Sequence, residues 1–137
     1  MQVLTSGKAW EKFNAFITAH GGNFSRLLDP QFTKTTYQIN IQAKATGYLG
    51  HIDALALGQA ASLLGAGRLT KEDVIDPNAG IVLSHKIGAK LTKGQTLAVV
   101  STNRPLTSEL TAMLETAFTI QTTPVTIQPI VHAWIEA

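Results

Sequence analysis

Residues 45–100 read ATGYLGHIDALALGQAASLLGAGRLTKEDVIDPNAGIVLSHKIGAKLTKGQTLAVV, and this stretch decides the fold. At its centre Asp53 opens DALALGQAASLLG, residues 53–65, whose body is almost wholly of small or apolar residues and which Gly65 and Gly67 bring to an end. An aspartate in front of such a run is a good helix N-cap, because its carboxylate accepts a backbone N–H of the first turn. A helix apolar on nearly every side is expected to be buried over most of its surface. Tyr48–Ile52, just before it, predicts a short strand. After it come a polar stretch, Arg68–Asn78, with Pro77 and Asn78 as turn residues, a strand at Gly80–His85, two spaced glycine turns within Lys86–Gly94, and a returning strand at Thr96–Ser101. Together these predict a mixed α+β domain with mostly antiparallel strands and packed helices.

Working outward, Lys8–His20 has Trp10, Phe13 and Ile17 at spacings of three and four, the period of an amphipathic helix. Ser6 and Gly7 are placed to cap its start, and Gly21-Gly22 to stop it. Phe24–Pro30 predicts a helical turn and a loop. Along Thr35–Ala43, Tyr37, Ile39 and Ile41 alternate with polar residues, as in a half-buried strand. Leu106–Phe118 carries a second amphipathic face through Leu110, Met113, Leu114, Ala117 and Phe118. Val125–Ile135 alternates well enough to predict a closing strand, with Pro129 favouring an edge or a bulge.

Hydrophobic residues make up 45% of the 137 and charged residues 15%, so there is ample apolar surface to offset the entropy of ordering, and an ordered domain is expected. The net charge of +2, spread along the chain, implies no nucleic-acid footprint. The absence of cysteine excludes disulfides, zinc–thiolate sites and thiol chemistry. No basic segment followed by an apolar run opens the sequence, and no apolar stretch approaches a membrane span. The expectation is a soluble, cytoplasmic protein without a membrane partner.

Chemistry-bearing patterns are sparse. His20, His51, His85 and His132 share no ligand spacing and no metalloprotease frame, which favours surface or packing roles. Glu72-Asp73, with Asp76 nearby, could supply a general acid or a metal ligand. The sequence Thr70-Lys71-Glu72-Asp73 resembles a capping box or turn, and that reading is preferred. Gly65-Ala66-Gly67-Arg68 falls at a helix C-terminus, the wrong pole for a phosphate. The run from Ile81 to Val100 has the rhythm of biotinyl and lipoyl carriers, but no carrier context surrounds Lys86, Lys90 or Lys93. The residues alone therefore supply no catalytic residue and no metal site.

The same stretch resembles the C-terminal domain of the thymidine and pyrimidine-nucleoside phosphorylases. The likeness rests on Gly47-Tyr48, Ile52-Asp53, Leu64 to Arg68, Lys71 to Asp73, Ile75 to Pro77, Ala79 to Ile81, and Lys86 with Gly88, Lys93 and Gly94, in that order. SGKAWEKFNAFITAHGGN, residues 6–23, extends it, and from about Leu106 only the general pattern agrees.

The resemblance implies an α/β-hammerhead domain, related in outline to barrel-sandwich folds, over residues 35–137. Residues 1–34 would be a helical lead-in from a preceding domain, and Gln2–Thr5 the remnant of an upstream helix. It implies reversible phosphorolysis of uridine or thymidine to the base and a pentose 1-phosphate in a longer parent enzyme, with phosphate as a substrate and no cofactor in this chain. The family's catalytic motifs do not occur here, so the nucleoside and phosphate would be met by other domains and the chain alone would be inactive. The parent would be a homodimer and this piece monomeric. The loop bearing Arg68, Lys71, Glu72 and Asp73 is expected to face the interdomain cleft. A free-standing binding module and, behind it, a biotinyl or lipoyl carrier stand as the alternatives.

Overall fold

The computed structural model describes residues 2–127 together with Pro129, Val131, Ala133 and Ile135, and the chain forms two compact units, Met1–Lys34 and Thr35–Ala137.

The first unit is helical: α1 Gln2–Thr5, α2 Lys8–Ala19 and α3 Phe24–Leu27. Gly7 is the N-cap of α2, in the left-handed conformation that glycine adopts without a Cβ penalty. At the other end the Gly21 N–H bonds the Thr18 carbonyl (3.0 Å) and the Gly22 N–H that of Ile17 (2.9 Å), the paired bonds of a Schellman stop. Asn23 caps α3 through Oδ1, which accepts the Ser25 N–H. Trp10 and Phe13 meet the edge of Phe24 at ring separations of 4.8 and 5.7 Å, yet no residue of α2 is fully buried.

The second unit holds the core. Strand β1 Tyr37–Gln42 and β3 Gly80–Leu83 flank β5 Thr96–Thr102 in one antiparallel sheet, with Ile39 and Ile81 both opposite Val100. In a second antiparallel sheet β2 Gly47–Ile52 lies between β4 Lys90–Leu91 and β6 Phe118–Gln121. Helices α4 Ala54–Ala61 and α5 Ser108–Thr116 complete the unit. The predicted α+β class with antiparallel pairing holds. Leu49, Leu64, Leu91, Leu97, Val100 and Leu114 are fully enclosed and form one cluster with Ile41, Leu110 and Phe118.

Local chemistry accounts for most boundaries. Asp53 Oδ1 accepts the Ala56 N–H (2.9 Å), as the N-cap reading required, and Thr107 Oγ1 accepts that of Leu110 (3.1 Å) at the start of α5. Gly88 and Gly94 both have positive φ, which fixes the two turns around β4. The Lys93–Gly94 turn is no projecting carrier tip. Its Lys93 N–H reaches Thr46 Oγ1 and its Gly94 N–H the Ala43 carbonyl, so the turn is docked on the exit from β1.

Four expectations need correction. Helix α4 is not buried over most of its surface: only Ala60 is enclosed, and Leu55 is 72% exposed. One face meets the core, and the small residues on the other simply leave it open. The helix also stops at Ala61, and a wider turn at Ser62–Ala66 follows, in which Gly65 (φ 107°) leaves the helical region. The Leu106–Phe118 periodicity likewise runs past the true helix end at Thr116. Phe118 starts β6, whose pairing with β2 supplies the third strand of that sheet. Of the closing strand predicted at Val125–Ile135, Val125, Thr126 and Ile127 are not in a strand. Gln128, Ile130, His132 and Trp134 lie outside the described residues.

Candidate functional site

The polar segment after α4 is a closed loop. The Asp76 N–H donates to the Gly65 carbonyl (2.9 Å), so the chain sets out from Gly65 and returns beside the same residue eleven residues later. A compact surface loop of this kind, with its ends together, is an Ω-loop in all but name.

Within it Asp73 sets the shape. Its Oδ2 accepts the N–H groups of Leu69 (2.8 Å) and Thr70 (2.9 Å), and its Oδ1 accepts the Thr70 hydroxyl (3.0 Å). The turn reading of Thr70–Asp73 is therefore the local geometry: a carboxylate folded back on the start of its own turn, without a helix behind it. These bonds favour the ionised form. The Thr70 N–H, then the Leu69 N–H, then the Thr70 hydroxyl hold the Asp73 carboxyl below its ordinary value, with a smaller pull from Arg104 and partial burial acting the other way. A depressed carboxylate contributes order above its unfolded pKa, and that order is lost as pH falls through the lower, folded value. We expect Asp73 to titrate below an ordinary aspartate, with the Leu69 and Thr70 amides losing protection as it does. A carbon-detected titration of the Asp73 carboxyl measures this, and a midpoint at or above the ordinary value would show that the three bonds do not persist in solution.

Arg68, Lys71 and Glu72 are exposed, and their side chains have no hydrogen-bond or ion-pair partner among the described residues. The loop thus carries two cations and one acid free for outside contact, on a backbone that the fourth predicted residue, Asp73, holds in place. Asp76 does not join them. Its Oδ1 accepts the Asn78 N–H (2.9 Å) and its Oδ2 the Asn103 amide (2.8 Å), so both oxygens serve the loop base. The Glu72, Asp73 and Asp76 carboxylates form no shared site, and among the described residues no group of three acids or histidines could hold a metal ion.

Three residues at the end of β5 were missed from sequence. The Thr102 hydroxyl donates to the Leu64 carbonyl (2.7 Å) and accepts the Arg104 N–H (3.0 Å). Arg104 Nη1 donates to the Leu63 carbonyl (3.2 Å). Asn103 joins Asp76 to Thr36, whose N–H and hydroxyl both donate to Asn103 Oδ1 (2.8 and 3.0 Å). Only the turn-like STNRP composition after the β5 pattern hinted at a special role here.

Two of the described histidines have local partners. His20 Nδ1 donates to the Phe16 carbonyl (2.9 Å), and His85 Nε2 accepts the Gln95 amide (3.1 Å). His51 is exposed on β2. His85 lies at an apolar groove of about 600 Å³ shared with Ile52, Leu83, Ile87 and Ile127.

Residues 48–121, from within β2 to the end of β6, match the pyrimidine nucleoside phosphorylase C-terminal domain family. The chain belongs to that family. The matched segment contains the loop and all three residues that hold it. Across more of the sequence, the chain is 44% identical over 112 residues to the pyrimidine-nucleoside phosphorylase of Bacillus subtilis, which covers 81% of the chain and 26% of that protein. It is 39% identical over 121 residues to the pyrimidine-nucleoside phosphorylase of Staphylococcus aureus strain USA300, covering 88% of the chain and 28% of the relative. The chain therefore spans about a quarter of the length of these relatives. No helix among the described residues is long and apolar enough to cross a membrane.

Proposed function

We propose that this chain is the C-terminal domain of a pyrimidine-nucleoside phosphorylase and acts in the reversible phosphorolysis of uridine or thymidine. The observation that carries the reading is the one-sided coverage: relatives named for this activity match over 81% and 88% of the chain but over little more than a quarter of their own length. In this reading inorganic phosphate attacks the anomeric carbon of the nucleoside, the base leaves, and a pentose 1-phosphate is formed. The groups that bind both substrates belong to other domains, the parent is a cytoplasmic homodimer, and no cofactor or nucleic acid takes part. Residues 1–34 are the lead-in from the preceding domain.

The contribution of this domain is closure. A site closed by two moving domains excludes water and fixes its reactants, and the loops that complete it affect turnover without touching the reacting atoms. The loop with Arg68, Lys71 and Glu72 free and Asp73 folded inward has the form such a contact needs: a shaped backbone with charged groups not already engaged.

The test is phosphorolysis of uridine and thymidine, measured for the 137-residue chain and for the longer product of its gene. The chain alone is expected to be inactive and the longer protein active. Activity in the chain itself would remove the assignment of chemistry to other domains. Arg68→Ala and Lys71→Ala in the longer protein should lower kcat, by about tenfold where a charge-assisted hydrogen bond is lost. Unchanged kcat and KM in both variants would sink the closure role of the loop.

A further inference from the structure

The loop that closure would use has both of its ends held by one tripeptide. Thr102, Asn103 and Arg104 leave β5 in succession, and each bonds the base of the loop. Thr102 takes the Leu64 carbonyl and Arg104 that of Leu63, on the outgoing side. Asn103 takes the Asp76 carboxylate on the returning side. Gly65 lies between them with φ 107°, and a Cβ there would stand 3.1 Å from Arg104 Nε. The fit is close on one side and bonded on the other.

Asn103 has a second attachment. Its Oδ1 accepts both the N–H and the hydroxyl of Thr36, two residues past Lys34, where the second unit begins. One amide group therefore joins the loop to the segment by which the chain enters the domain. Its orientation is determined by its partners: the carbonyl end faces the Thr36 N–H and the NH₂ end faces a carboxylate, so a flipped amide would oppose both, while the Thr36 hydroxyl could serve either way.

We propose that Asn103 is a positioning residue, coupling the 65–76 loop to the entering segment at Thr36 and so holding the loop in the single conformation used for closure. The role rests on the closure reading given above. Asn103 touches no substrate; it acts through Asp76 and the neck of the loop. A displacement of the entering segment relative to the sheet is felt at Thr36 and, through one amide, at Asp76.

Two measurements test it. Amide exchange on the 137-residue chain is compared for the native protein, Asn103→Ala and Asn103→Asp. Asn103→Ala should speed exchange of both the Thr36 and the Asp76 amides by about tenfold, the equivalent of one ordinary net hydrogen bond, while Leu49 and Val100 in the two sheets stay unchanged. Asn103→Asp keeps the acceptor for Thr36 but turns a second carboxylate toward Asp76, so exchange should rise at Asp76 and not at Thr36. Equal, unchanged rates in both variants would overturn the coupling, as would a uniform rise that includes Leu49 and Val100.

In the longer gene product the same substitutions should lower kcat and kcat/KM together, the pattern of an interaction made only in the closed state. Faster loop exchange with kcat and KM unaltered, where Arg68→Ala and Lys71→Ala do lower kcat, would overturn the positioning role alone; if those two variants are also unaltered, the closure reading falls with it.

Discussion

Leu114→Ala is expected to destabilise the domain by about 3 kcal/mol, with the denaturant midpoint falling and the slope unchanged. Leu114 sits in α5 with no exposed surface and belongs to the central apolar cluster. Alanine is at least as good a helix former as leucine, so the substitution leaves the backbone preference of α5 intact and isolates the loss of packing. What is lost is the transfer of the side chain from water and the contacts of the walls around the space it leaves. Leu55→Ala on α4 is the control. That side chain is 72% exposed, and its truncation should stay within about 0.5 kcal/mol of the native protein. A small loss at Leu114, or an equal loss at Leu55, would mean that the enclosed cluster is not where this domain derives its stability.

Gly47→Ala should cost about 2 kcal/mol for a different reason. A Cβ at Gly47 would run into the carbonyl oxygen of Gln121 and stand 3.0 Å from Ile120 Cγ2, both on β6. Because the obstacle includes backbone, no rotamer change relieves it. Strand β6 has to move off β2, against the register that pairs Tyr48 with Gln121 and Leu49 with Ile120. The same substitution at Gly58, in the interior of α4 with nothing within 4 Å of the new methyl group, should instead raise stability by about 0.5 to 1 kcal/mol, since alanine loses less freedom than glycine on entering a helix. Opposite signs for one chemical change are the signature sought in thermal or denaturant melts. A gain at both positions would mean that β6 does not lie against Gly47 in solution.

Much of this architecture is written locally. The alternation of Tyr37, Ile39 and Ile41 marks β1, Asp53 marks the start of α4, and the glycines at 88 and 94 mark turns that need positive φ. Each is a short-range effect, decided within a few residues. The failures share the opposite character. Ala117 and Phe118 continue the apolar period of α5 because both point into the core, one at the end of a helix and the other at the start of a strand. Periodicity reports the direction of burial and not the backbone that delivers it. Nor could composition alone show that the apolar run at Asp53 would keep one face open, since small residues tolerate either environment.

The candidate site divides along the same line. Thr70–Asp73 is a turn whose bonds span three or four residues, and its residue types announce it. The partners of its base are far away in sequence: Asn103 meets Thr36 across 67 residues and Arg104 meets Leu63 across 41. A serine–threonine–asparagine–arginine run after a strand looks like any solvated turn until the fold brings it beneath the loop.

The closed neck at Gly65 and Asp76 has an evolutionary reading. A loop whose two ends are already joined by a backbone hydrogen bond transmits little of its own length to the strands below. Extra residues near its tip add a closure cost that grows only with the logarithm of loop length, about 0.6 kcal/mol for a doubling. Side chains at the tip that make no bond within the loop are thereby released from the demands of folding, so that positions 68, 71 and 72 can drift or acquire new charge under selection for contact alone while the neck and its clasp are retained.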